Sequence, residues 1–95
     1  MIVGTGLITL RLHDCRSLKG KRKVVKSMIS RLRNAFNLSV AEVGSNDIYQ
    51  KAEIGFSLVG NDNRVIQSLI DKVLDFVGGC AEAQITDTWS EVENY

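Results

Sequence analysis

The stretch Ser17-Leu18-Lys19-Gly20-Lys21-Arg22-Lys23-Val24-Val25-Lys26, continuing to Phe36, sets apolar residues at Leu18, Val25, Met28, Ile29, Leu32 and Phe36. That spacing is the signature of an amphipathic helix with one core-facing stripe. At about 100° per residue, these positions together with Val24 and Ala35 fill an arc from about 240° through 0° to 20°. Lys19, Arg22, Lys26 and Arg33 fall between about 40° and 100°, with Lys23 on their flank. One helix over 17–36 therefore carries a core stripe and a basic stripe side by side. Lys21 falls near 300°, inside the apolar arc, so its ammonium must leave the core at the helix start or snorkel.

The charges on this helix oppose its stability. A helix start has unpaired N–H groups and a positive dipole end, and it favours acids. Here Ser17 is placed as the N-cap, Gly20 stands where a capping box has Glu or Gln, and Lys19, Lys21, Arg22 and Lys23 crowd the first turns. Each misplaced cation costs about 0.3–1 kcal/mol at low salt. Cations gathered beside free N–H donors form an anion site, and the competing reading is a solvated basic face without a role.

Outward from the helix, the charge of the whole chain is segregated. The net charge of +1 conceals nine Lys/Arg against Asp14 alone in residues 1–40, and three against ten acids in residues 41–95. One side of the molecule is expected to be positive although the overall balance is near neutral. Ninety-five residues with 44% hydrophobic and 24% charged content fit one globular domain, residues 1–95, that needs no disulfide or metal to hold its core. No apolar run approaches a membrane span, and no basic-then-apolar leader opens the chain. Cys15 and Cys80 are isolated and read as free thiols of a reducing cytoplasm.

Met1–Leu12 alternates, with Ile2, Ile8, Leu10 and Leu12 on one side and Val3, Thr5, Leu7, Thr9 and Arg11 on the other. It reads as a strand in which Gly4 and Gly6 mark a bulge or a close backbone approach. Asn37 offers a left-handed residue to end the helix. Leu38–Val43 is a second strand, Gly44-Ser45-Asn46-Asp47 a turn, and Tyr49–Val59 a third strand with Ala52, Ile54, Phe56 and Leu58 on one face. Val65, Ile66, Leu69, Ile70, Val73, Phe76 and Val77 mark a second helix, stopped at Gly78-Gly79. A last strand over about Ala81–Val92 contains Ile85 and Trp89. The order β-α-β-β-α-β predicts an α+β, ferredoxin-like domain: a four-stranded antiparallel sheet with two helices on one face. The other face, carrying Val3, Leu7, Ala41, Val43 and Val59, suits dimerisation or a broad ligand surface.

The runs Ser17-Leu18-Lys19-Gly20-Lys21-Arg22 and Asn37-Leu38-Ser39-Val40-Ala41-Glu42-Val43 resemble the YlxP-like family of small bacterial proteins, and the resemblance extends along essentially the whole chain. It implies a ferredoxin-like fold, a cytoplasmic setting and a role near RNA or the ribosome, because members are often encoded among translation and ribosome-maturation factors. It supplies no catalytic residues. The family pattern usually has an acid where this chain has Gly20. Glu42 belongs to the second run and is the only acid in residues 15–46. It is either a partner that orders the basic cluster or a solvated strand residue.

Chemistry-bearing patterns are sparse. His13-Asp14-Cys15 pairs the single His with a thiol, but no third group completes a nucleophilic constellation. One His and two distant Cys fall short of a metal-ligand set, and Gly4-Thr5-Gly6 lies within a strand rather than a phosphate loop. The expected function is therefore non-enzymatic, without cofactor or metal: RNA or ribosomal-subunit binding in which Lys19, Lys21, Arg22, Lys23, Lys26 and Arg33 contact phosphates, with Arg16 and Arg11 extending the patch. The middle strand exposes Lys51, Glu53, Gly55 and Ser57 rather than stacking aromatics, which disfavours base reading on the sheet. The alternative is a dimeric interaction or regulatory module that binds an acidic protein or a phosphorylated ligand.

Overall fold

A computed structural model describes residues 1–95. Six elements follow in the order β1 (Ile2–Leu12), α1 (Leu18–Ala35), β2 (Ser39–Gly44), β3 (Lys51–Gly60), α2 (Asn63–Gly78) and β4 (Ala83–Asn94). The strands form one antiparallel sheet in the order β2-β3-β1-β4, and this is the ferredoxin-like α+β arrangement. Every element predicted from periodicity is present, with ends displaced by one or two residues. No helix is long and apolar enough to cross a membrane.

The period-two pattern of β1 and β3 gives the sheet one buried face. Ile8 and Leu10 of β1 pair in register with Ile54 and Ala52 of β3, and all four are fully buried beneath the helices. Val25, Met28 and Leu32 of α1 and Ile66, Ile70, Val73 and Val77 of α2 close this core from above. Burial of each large aliphatic contributes about 1.5–3 kcal/mol. The helices divide the sheet between them: α1 packs on β2, while α2 packs on β1, β3 and β4. Phe36 and Phe76 join the two helices edge to face, with ring centroids 5.8 Å apart.

Gly4 and Gly6 mark close approaches, as their place in the strand suggested. A Cβ on Gly4 would lie 2.6 Å from Ile66 Cγ2, and one on Gly6 would enter the Phe56 ring. The bulges lie elsewhere. One is in β4, where the register shifts between the partners of Thr9 and Leu10, and the other is in β2 between Glu42 and Gly44. The β4 bulge puts Ile85 and Trp89, which simple alternation would place together, on opposite faces. Ile85 pairs with Leu10 above the core, whereas Trp89 pairs with Leu7 on the helix-free face.

Two expected chain breaks differ in geometry. Asn37 is not left-handed; α1 instead ends on extended Phe36, whose N–H donates to the Leu32 carbonyl. Gly79 caps α2 with φ −83°, so its lack of a side chain is not used for a left-handed turn. The left-handed residues are Asp14, φ 60°, and Ser45, φ 57°. Substituting Gly6→Ala should lower stability by about 1–3 kcal/mol, because the Phe56 ring has no room to retreat in a packed core. Urea denaturation checks this, and an unchanged midpoint would show that the ring does not depend on that space.

Candidate functional site

The first turn of α1 brings together the residues that the sequence marked. Ser17 caps the helix, its Oγ accepting from the Gly20 N–H at 3.1 Å, so the cap is kept although the acid of a capping box is missing. No acid lies in the first turn. The cations placed here are of two kinds, and the helical wheel separates them.

Lys21 is a correction to the expected phosphate-binding set. It is 1% exposed, and its Nζ lies 2.9 Å from Glu42 Oε2 and donates to the Ser45 carbonyl. Its position inside the apolar arc forces it inward, and the only acid nearby in sequence meets it from β2. Glu42 is thus the partner rather than a solvated strand residue. Ser45, left-handed in the β2–β3 turn, aims its carbonyl at Lys21 while its Oγ donates to Glu53 Oε2 at 2.7 Å. One buried ammonium therefore ties α1 to β2 and, through the turn, to β3.

Lys19, Arg22, Lys23, Lys26 and Arg33 are all exposed. None of them has a carboxylate within 4.0 Å; the one surface ion pair, Arg31 with Glu82, joins different side chains at 3.9 Å. An exposed pair at that distance adds little stability. Arg33 also donates from Nη2 to the Val40 carbonyl at 3.2 Å. Arg33 thus reaches the backbone of β2, the edge strand of the sheet.

The remaining predicted contacts do not join the stripe. Arg11 alternates with buried Leu10 and Leu12 and lies on the helix-free face opposite Lys51, because a strand sends successive side chains to opposite sides. It therefore does not extend a patch on α1. Arg16 is exposed in the preceding loop, off the helical stripe, and lines a hollow with His13, Cys15 and Glu82 that also reaches Ser17, Gly20 and Val24 at the start of α1. Both thiols are buried.

Sequence reasoning missed a groove. Between α1 and β2 runs an opening of about 540 Å³ lined by Arg22, Val25, Lys26, Ile29, Ser30, Arg33, Val40, Ala41 and Glu42. Val25 and Ile29 were read as core and Ala41 as part of the open sheet face, and nothing local signals an opening along the seam between α1 and β2. The negative pole lies across the sheet, where Glu91 and Glu93 share the open face of β4. A hydrogen bond to Glu93 and then its like charge raise the Glu91 carboxyl above its ordinary range. The folded state holds that proton more readily than the unfolded chain, so this pair favours folding less as pH rises through the carboxylate range.

Residues 3–89 match the family described as protein of unknown function (DUF503). The chain is 32% identical over 80 residues, 84% of its length and 87% of the relative's, to the uncharacterized protein YlxP of Bacillus subtilis (strain 168). Among solved structures, it is similar to a REP-associated tyrosine transposase bound to a REP hairpin, at 14% identity and a TM-score of 0.46, covering 97% of this chain and 57% of that one. It is also similar to At3g17210 of Arabidopsis thaliana, at 12% identity and a TM-score of 0.46, covering 98% and 94%.

The Lys21–Glu42 pair should behave as a buried unit. Lys21→Ala is expected to lower stability by about 3 kcal/mol, the low end for a broken buried pair because Glu42 keeps 18% side-chain exposure. Lys21→Met with Glu42→Leu should recover most of that loss. A double-mutant cycle in denaturant measures the coupling; additive losses would mean that the pair is incidental.

Proposed function

The chain belongs to the DUF503 family, and within it we propose that this protein is a non-enzymatic RNA-binding module of the cytoplasm, acting on ribosomal RNA or an assembling subunit. One observation carries the proposal: five exposed cations on one helix, Lys19, Arg22, Lys23, Lys26 and Arg33, none with a carboxylate partner in its own chain. Three of them lie in the first turns, where they oppose the helix dipole. A solvated face that only keeps a protein soluble gains nothing from that placement. A polyanion compensates the repulsion and releases counterions from its own atmosphere. Phosphate contacts of this kind position RNA without reading every base.

Lys19→Ala, Arg22→Ala and Lys26→Ala combined should weaken RNA binding by about tenfold or more and flatten its salt dependence by about two units of slope, at about 0.7 per lost contact on single strands. The melting temperature should be unchanged or higher, since the dipole is relieved. Filter binding across a salt series reads both quantities. Equal affinity and slope in variant and parent would overturn the proposal.

The helix-free face favours a second reading, self-association as an interaction module. Val43, Val59 and Trp89 are 58%, 65% and 53% exposed there, around the half-buried Leu7. Exposed apolar area of this kind marks contact surfaces. Sedimentation should then show a dimer that Trp89→Glu converts to monomer; a parent that is monomeric at every accessible concentration excludes this reading.

A further inference from the structure

The groove between α1 and β2 has more than cations to offer. Buried Val25 and Val40 with half-buried Ile29 form its apolar floor, and exposed Arg22, Lys26 and Arg33 stand at its rim. Glu42 supplies a carboxylate at its end. Of that carboxylate, Oε2 is sealed against Lys21, while Oε1 is not among the buried unpartnered atoms and accepts no hydrogen bond from the chain.

Phosphates alone need only the rim. The apolar floor suits a flat ring, and unstacked bases of single-stranded RNA are held by stacking on an aromatic ring or a guanidinium plane with a side chain meeting the base edge; here the rim guanidiniums of Arg22 and Arg33 offer that plane. An acidic peptide would satisfy the rim but set its own carboxylates against Glu42. A base brings N–H donors instead. Guanine alone presents two adjacent N–H groups, on N1 and the exocyclic N2, to one acceptor; the other bases offer a single donor group. Arg33 already donates to the Val40 carbonyl of the edge strand, so a β-strand added along β2 meets its guanidinium there. The edge is thus closed to a peptide strand and the groove open to a ring.

We infer that the groove between α1 and β2 seats the base of an unpaired guanosine in single-stranded RNA, with Glu42 accepting from the base edge and Arg22 and Lys26 taking the flanking phosphates. This rests on the RNA-binding reading and narrows it from charge to a base. Guanine also gives the acid at the groove's end a second partner beside Lys21: a neutral side chain there would keep the phosphate contacts and lose the preference.

The test is fluorescence anisotropy with short single-stranded uridine RNAs bearing one central guanosine, adenosine or cytidine, and with the all-uridine strand. The guanosine strand should bind about tenfold tighter or more, the discrimination expected of a two-bond base contact. Glu42→Gln should remove the preference. Because that change also disturbs Lys21, a second variant, Ser30→Trp, fills the groove from an exposed position; it should abolish the preference while uridine binding persists. Equal affinity for all strands with an intact salt slope, or a guanosine preference retained in Ser30→Trp, overturns the guanosine assignment and leaves the RNA reading standing. Failure of every strand to bind overturns both.

Discussion

The contact between the Lys21 ammonium and the Glu42 carboxylate holds the basic helix to the rest of the molecule. Burying an ammonium without a partner is prohibitive, so α1 can seat its first turn only where β2 presents that carboxylate. Ordinary alternation from buried Val40 puts Glu42 on the helix side of the sheet, opposite Ile54, and Val43 over Gly55 on the other side, and the bulge that follows leads the chain into the turn. Ser45 adopts its left-handed conformation and turns a carbonyl to the same ammonium. Sheet register, turn conformation and helix placement are thus mutually dependent, and a short edge strand that could slip is pinned by one charge.

The architecture was legible because the two periodicities are clean. The 3.6-residue spacing from Leu18 to Phe36 and the alternation from Ala52 to Leu58 each admit one element, and their order leaves few topologies. Lys21 was half legible. The wheel put it in the apolar arc, and alternation from Val40 puts Glu42 on the helix side, but joining them required knowing that α1 packs over β2, a contact between elements that no local pattern gives. The β4 bulge, which no glycine or proline announces, hid the face of Trp89. Asn37 and Gly79 carry left-handed propensity that the fold does not use; the strained residues are Asp14 and Ser45, whose conformations are set by where their neighbours must go.

The candidate surface follows the same division. Side chains on one helical stripe stayed together, because 100° per residue fixes their direction. Arg11 and Arg16 left the patch because strand and loop geometry, unlike the helix, point them elsewhere. Val25 and Val40 are core residues by type and by burial that also line the groove along the seam of α1 and β2, which no local pattern announces.

The separation of charge across the sheet has a further consequence. The α1 side is cationic, and the β4 side, with Asp87, Glu91 and Glu93, is anionic. Near any dense array of negative charge such a molecule experiences a torque as well as an attraction, and it arrives with one edge leading. Once docked, it presents its acids outward. The acids on the far face repel any second array of the same sign, so the two edges of the molecule are not electrostatically interchangeable.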